Sequence, residues 1–483
     1  MTLSDSDMRN LLARSWHSPT LTTWGSIGVR LVSMLVVLPL VLVRFDVEEV
    51  AVWQLFSVLF TLSMLLDFGL SPTFARLLSY ARGGASVASM ARPSDPAAAV
   101  VEHAPADSLI TVFSVVRWLY ARLAVVATVL FGVFGTAALL TPISQIADPS
   151  PAWAAWVLVL ATMGIGFWGN GFGAAMQGMD RIAVMRRWEI GCGLAQVACS
   201  TAVLLLGGNL LALVASYQFW VVFNALRNRA LIKRSFPELM AVPARADHNV
   251  LRVLWPATWR SGVGVLMSQG LIQASGVIYS QFGAPIEVAA YLLALRVITV
   301  ISQFSAAPFY SKLPELARLH VSGETARQVA VAQRGMRLAH VTFVLGTCAV
   351  ALLAQPLLQA IGSRTAFVPQ GVWALMSLAF FAERFGAMHL QLYSVTNHIV
   401  WHIANGVTGV LMLAIAVASY GYIGAYAFPA AMLLAYAGFY CVYAVYHSRV
   451  EFGFRVLRFE SRSAIPAVAV LCGVLLAVTF RRP

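Results

Sequence analysis

Charge is scarce in this chain. Of 483 residues only 11% are Asp, Glu, Lys or Arg, against about 25% in soluble domains. Hydrophobic residues make up 59%. A soluble fold of this length cannot keep that much apolar surface from water, so a soluble globular protein is excluded and lipid is the natural solvent. Lysine is almost missing: Lys233 and Lys312 are the only two, and the other positive charges are arginine. Cysteine is sparse as well. Cys192, Cys199, Cys348, Cys441 and Cys472 all sit inside apolar runs and form no CxxC pair, which points to packing, with no metal or cofactor expected. The formal net charge is +13, yet no polar segment interleaves basic and aromatic residues as base-stacking surfaces do. Nucleic acid is therefore not an expected partner.

What is present is a series of long apolar runs. A helix needs about 20 residues to span about 30 Å of hydrocarbon. Runs of that kind lie near 21–43, 50–70, 119–140, 153–175, 188–206 and 210–230, and again near 255–281, 286–310, 336–361, 367–392, 399–419 and 422–446. A shorter one, 464–480, is either a thirteenth span or an interfacial tail. Residues 1–20 lack a cleavable signal pattern, so the first run reads as a retained helix.

Arginine position sets the orientation. Alternate gaps hold Arg9 and Arg14, then Arg76, Arg82 and Arg92, then Arg181, Arg186 and Arg187. Six more basic residues follow from Arg227 to Arg252, five from Lys312 to Arg337 and four from Arg449 to Arg462. The opposite gaps up to Tyr446 carry only Arg44 and Arg364. The positive-inside rule then places the N-terminus in the cytoplasm. The outer loops are too short for a catalytic domain. The inner loop 83–107, rich in Ala, Pro and Ser, reads as disordered.

An internal echo divides the chain. Glu49-Val50-Ala51-Val52-Trp53 opens the second run, and Glu287-Val288-Ala289-Ala290-Tyr291 opens the eighth, 238 positions later. The preceding runs open with Trp24-Gly25-Ser26 and Trp259-Arg260-Ser261, 235 positions apart. The expected fold is an all-α polytopic membrane protein with about 12 or 13 transmembrane helices, in two six-helix lobes related by a parallel pseudo-two-fold repeat. Its parts are an N-terminal segment 1–20, a lobe 21–234, a linker 235–254, a lobe 255–446 and a tail 447–483 holding the last run.

Charges inside such runs are costly and usually face a cavity or a partner. Arg30, Asp67, Arg260, Arg296, Glu383 and Arg384 lie within or at the edge of spans. Arg30 shares a face with Thr22, Ser26 and Ser33, and Arg296 with Thr299 and Gln303. Gln269, Gln273 and Ser280 lie along one stripe of the seventh run, with Arg260 near its inner end, and Ser377, Arg384 and Gln391 form another stripe. These faces read as an Arg-lined, water-filled substrate cavity or, more plainly, as interhelical hydrogen bonding. Arginine suits an anionic substrate because its fork binds phosphate oxygens bidentately. Asp67 and Glu383 are coupling sites or counter-charges to neighbouring Arg. Arg117 and Arg122 read as snorkelling to the surface. The glycine-rich run from Gly164 to Gly173 allows either close packing or bending. His398 and His402 stand four apart as a possible metal pair without a nearby carboxylate.

Leu66-Asp67-Phe68-Gly69-Leu70 with Arg76 beyond, Glu49 to Trp53, and Gln177-Gly178-Met179-Asp180-Arg181 after the fourth run carry a family resemblance. Over roughly 21–446 the chain resembles the polysaccharide-transport family of the multidrug/oligosaccharidyl-lipid/polysaccharide (MOP) superfamily. Val50-Ala51 departs from a glycine frequent there. The resemblance implies a flippase of the bacterial inner membrane, moving an undecaprenyl-diphosphate-linked oligosaccharide (an O-antigen, capsule or exopolysaccharide unit) by alternating access. It implies membrane lipids and a glycan polymerase or ligase complex as partners. In relatives that flip lipid-linked precursors, cationic residues of the first and eighth helices line the cavity, the helices that hold Arg30 and Arg296 here. The competing readings are an ion-coupled multidrug exporter of the same superfamily, a membrane glycan polymerase or ligase, and a scaffold subunit.

Overall fold

The computed structural model describes residues 19–83, 106–396 and 400–480. Among these, every regular element is helical, as a lipid solvent demands, because a helix satisfies its backbone hydrogen bonds internally. The first half runs α1 (Pro19–Arg44), α2 (Val47–Leu65), α3 (Leu70–Arg82), α4 (Ala106–Leu130), α5 (Thr136–Ser144), α6 (Ser150–Gly178), α7 (Ile182–Leu205), α8 (Leu210–Ser235) and α9 (Pro237–Ala241). The second half runs α10 (His248–Val265), α11 (Leu271–Tyr279), α12 (Pro285–Tyr310), α13 (Leu313–Val321), α14 (Thr325–Ala360), α15 (Gln370–Ser394) and α16 (Trp401–Ile423). It closes with α17 (Ala427–Ala435), α18 (Cys441–Phe452), α19 (Val456–Glu460) and α20 (Ala464–Phe480). Single π-helical turns join α4 to α5 (Phe131–Gly135), α10 to α11 (Leu266–Gly270) and α17 to α18 (Tyr436–Tyr440).

Among the described residues each apolar run read from the sequence is helical over most of its length; the run 50–70 leaves its helix at Leu65, and the run 422–446 passes through a 3-10 turn at Gly424–Tyr426. Among the described residues, eight helical segments are long and apolar enough to cross a membrane; one, Trp401–Phe452, is 52 residues long and holds two of the runs. Helix α15, which carries Glu383, Arg384 and His389, is not among them. The last run is α20, whose 17 residues extend about 26 Å, slightly less than the hydrocarbon thickness. The 83–107 loop lies almost entirely outside the described residues, as does His398.

The chain divides into two compact units, Met1–Gly262 and Val263–Pro483. In the first, α6 is central, packed on α3, α4 and α8, while α1 runs along α7. In the second, α15 is central, packed on α12, α14, α17 and α18, with α20 lying on α14 and α15. The fourth run of each half is thus the hub of its own unit. The 235–254 segment, read as a linker, is built into the first unit: Arg117 Nη1 donates to the Val242 carbonyl at 2.7 Å, and Ser114 Oγ to that of Pro243 at 2.8 Å.

Local chemistry explains the corners. Asp46 caps α2, and Glu49 returns a carboxylate to the Asp46 amide at 3.2 Å, a capping box. The chain then reverses through Phe68 (φ 47°) and Gly69 (φ 73°) into α3. After α6, Asp180 (φ 58°) makes a second left-handed turn, tied down by Arg82 Nη1 donating to the Met179 carbonyl at 2.6 Å. The glycines of α6 are approach points. A Cβ at Gly169 would fall 2.5 Å from Ala225 Cβ on α8, and one at Gly171 would fall 2.9 Å from the Tyr120 ring on α4. Of the two readings of that run, packing accounts for these positions.

The second unit has an additional apolar cluster at the N-terminal end of α14. Phe309, Leu316, Met336, Met388, Phe452 and Phe459 join the ends of α12, α15 and α18 to α13 and α19. Helix α14 itself runs for 36 residues.

Candidate functional site

Of the two cationic site candidates whose side chains are described, Arg384 is the more fully enclosed. It is 7% exposed on α15, and its Nη2 donates to the Ser302 carbonyl on α12 at 2.8 Å and to the Ser302 hydroxyl. Glu383 Oε2 stands 3.9 Å from the same nitrogen, which fits a counter-charge. Tyr310, Tyr436 and Tyr440 lie close enough to Glu383 to interact with it electrostatically. Gly386 lets the Tyr440 ring in: a Cβ there would come within 2.7 Å of Tyr440 Cε1. Ser377, on the same stripe of α15, is fully buried. The sequence stripe therefore faces into the helix packing, and Arg384 bolts α12 to α15. Arg384→Met removes both bonds to Ser302 and leaves Glu383 without its neighbouring cation. Its expected cost is about 1–3 kcal/mol of stability, read as a lower melting temperature in detergent; a Met variant that melts with wild type would remove this account.

On α12, Arg296 is half-buried and Gln303, two turns on, is exposed. Thr299, between them, bonds back to the Leu295 carbonyl at 2.7 Å. Gln269 is exposed within the π-helical turn Leu266–Gly270, and Gln273 is half-buried one turn later. π-helical turns inside α-helices frequently mark functional positions. Polar side chains this far along an apolar span favour a watered surface over lipid. Arg30 and Arg260 lie on α1 and α10, and their side chains fall outside the described residues.

In the first unit Asp67 sits at the corner after α2. It accepts from the Ser71 amide at 3.0 Å, from Ser71 Oγ at 3.0 Å and from the Tyr120 hydroxyl at 2.5 Å. From the sequence it reads as a coupling site or as a counter-charge to a neighbouring arginine. Among the described residues its hydrogen-bond partners are a backbone amide and two hydroxyls, which disperse the carboxylate charge without a cation. Arg117, expected to snorkel, reaches the Val242 carbonyl, and Arg122 lies exposed 5.6 Å from the Trp118 ring.

Buried polar groups that the sequence does not single out include His389, His340 and Arg227. His389 on α15 is fully buried, with Nε2 3.0 Å from Glu460 Oε1 and Nδ1 2.8 Å from Ser448 Oγ. His340 on α14 is fully buried, stacked on Phe381 with ring centroids 4.9 Å apart. Arg227, counted with the inner loop, is 8% exposed and bonds Asn228 Oδ1 through Nη2 at 2.7 Å. Nothing in residue type or spacing separates these from surface groups; only the packing of neighbouring helices does. Among the described residues no group of three or more His, Cys, Asp or Glu could hold a metal ion.

The sequence matches no family model and no curated protein. Solved structures do match. An inward-facing multidrug resistance MATE family transporter of the MOP superfamily aligns with a TM-score of 0.65 at 12% identity, over 89% of this chain and 96% of that one. Lipid II flippase MurJ in an inward closed conformation aligns at 0.60 and 10% identity, over 95% and 98%. The MATE multidrug transporter DinF-BH aligns at 0.55 and 13% identity, over 94% and 99%. The fold is the MOP fold. At these identities the likeness concerns architecture, and the MOP fold accounts for the spans, the two units and the all-helical build.

Proposed function

We propose that this chain is a flippase that moves a lipid-linked, phosphate-bearing oligosaccharide, of the undecaprenyl-diphosphate type, across the bacterial inner membrane by alternating access. The observation that carries the reading is the sign of the polar face on α12. Arg296, Thr299 and Gln303 share one face of an otherwise apolar span, and Gln303 is exposed. A fixed guanidinium there suits phosphate oxygens and works against a cationic drug. The likeness to a lipid II flippase over nearly the whole of both chains supports a lipid-linked substrate. Arg30, Arg260, Gln269 and Gln273 are the further residues assigned to substrate, with Arg384 and Glu383 holding the helices that present it. A diphosphate cannot cross hydrocarbon unaided, and arginine in a watered cavity replaces its lost hydration.

A second reading, an exporter of small molecules, is favoured by the comparable likeness to multidrug transporters. Complementation separates the two. The gene is deleted in its host and replaced by wild type, Arg296→Lys or Arg296→Ala at matched levels, with surface glycan and lipid-linked oligosaccharide assayed together. Loss of one charge-assisted contact costs about 1.5–3 kcal/mol, so Arg296→Ala is expected to lower export about 10- to 100-fold, with complete lipid-linked units held at the inner leaflet. Normal export in the deletion strain would dismiss the flippase and turn attention to drug efflux. Units reaching the outer leaflet unpolymerised would point to a polymerase or ligase.

A further inference from the structure

The corner between α18 and α19 forms an open hollow of about 510 Å³ lined by Arg449, Gly453, Phe454, Arg455, Val456 and Leu457. Gly453, at φ 67°, turns the chain there, its amide closing on the Arg449 carbonyl at 2.9 Å. Arg458 and Arg462 follow at the next turns, and all four arginines are exposed. The nearby carboxylates face elsewhere. Glu460 is 5% exposed and turned inward onto His389, and Glu451, two residues beyond Arg449, lies on the opposite side of its helix. The exposed face of α19 is therefore positive.

This corner is also held firmly. Gln333 Nε2 on α14 donates to the Phe459 carbonyl at 2.8 Å, the His389–Glu460 contact is 3.0 Å, and Phe459 is buried. Around the arginines stand exposed apolar side chains: Tyr446 at 62%, Val450 at 66% and Leu457 at 76%. Two of the three, Tyr446 and Val450, lie where the last long span ends, at the level where interfacial groups meet lipid headgroups.

We propose that this corner binds the phosphate of an anionic phospholipid headgroup, with Arg449 and Arg455 on the phosphate and Tyr446, Val450 and Leu457 against the acyl chains. A free anion would use the arginines but would leave the apolar rim in water, so the rim selects a lipid. The site depends on the membrane fold and not on the transport substrate, and its failure would leave the flippase reading untouched.

The test uses full-length protein in neutral detergent, titrated with phosphatidylglycerol or phosphatidylcholine and read by native mass spectrometry. Each basic residue near an anionic surface contributes about a five-fold factor in binding. The double variant Arg449→Gln with Arg455→Gln is therefore expected to bind phosphatidylglycerol about thirty-fold more weakly. It should melt with wild type, because both side chains are exposed. A charge-matched control on other exposed arginines, Arg318→Gln with Arg334→Gln, is expected to bind as wild type. Equal loss in the control would reduce the effect to diffuse charge and overturn the site. Phosphatidylcholine binding as well as phosphatidylglycerol would overturn it too, as would inorganic phosphate displacing the lipid.

Discussion

Gly169→Val is expected to prevent stable assembly of the N-terminal unit. Helices α6 and α8 touch at this point, where a Cβ would sit 2.5 Å from Ala225 Cβ and 2.9 Å from its Cα. Neither atom belongs to a movable side-chain end, so relief requires the two helices to separate. Overpacking that moves only side chains costs about 1–3 kcal/mol, and displacing a backbone lifts it above that range. Gly173 offers the control: one turn along the same helix, the nearest atom to an added Cβ is Asn228 Nδ2 at 3.8 Å. Gly173→Val should fold, and Gly169→Val should elute as aggregate on size exclusion. The Cys192 thiol, 5% exposed, gives an independent readout, staying unreactive to maleimide in Gly173→Val and labelling quickly in Gly169→Val. Partial recovery of Gly169→Ala by Ala225→Gly would tie the defect to this contact; a well-behaved Gly169→Val would show that the α6–α8 spacing is not fixed.

The second large effect falls on His389→Ala, which strips the imidazole from Glu460. Both side chains are almost wholly enclosed, at 0% and 6% exposure. His389 contacts Oε1, and Glu460 Oε2 has no hydrogen-bond partner among the described residues, so the variant leaves the whole buried carboxyl group unsatisfied and a cavity beside Phe385. Losses of about 2–4 kcal/mol are expected from a broken buried contact of this kind. The short helix α19 depends on it, and with α19 the attachment of α20 is loosened. Protease cleavage in residues 453–455 should therefore accelerate in His389→Ala. Glu460→Gln keeps an oxygen facing Nε2 and should lose less. Equal protection of all three proteins would show that Gln333 and the apolar cluster hold the tail alone.

Much of the architecture was legible because lipid is a demanding solvent. Apolar runs of about 20 residues have one stable outcome, and among the described residues the runs from 21–43 to 464–480 are helical over most of their length. The echo at Glu49 and Glu287 was legible for a related reason: both residues sit in the first turn of corresponding helices, α2 and α12. Asp67-Phe68-Gly69 stood out in sequence, and the structure shows a corner that needs two left-handed residues in succession. The individual polar partners were less legible. Asp67 reads from the sequence as a coupling site or a counter-charge; that its carboxylate meets Tyr120 depends on how the helices pack and not on spacing along the chain. Arg384 showed its stripe, yet its anchor at Ser302 lies 82 positions away. His389 carried no local signal at all: a histidine in an apolar helix gains its role from Glu460, beyond the last long span.

Helix α14 has a mechanical consequence. Its 36 residues measure about 54 Å, about 24 Å more than the hydrocarbon needs, and the excess is clasped by the apolar cluster around Phe452 and Phe459. It is a lever arm: a tilt of about ten degrees within the bilayer would sweep its far end through about 4 Å. A spin label on Arg327, exposed near that end, would report such swings more sensitively than one buried among the spans.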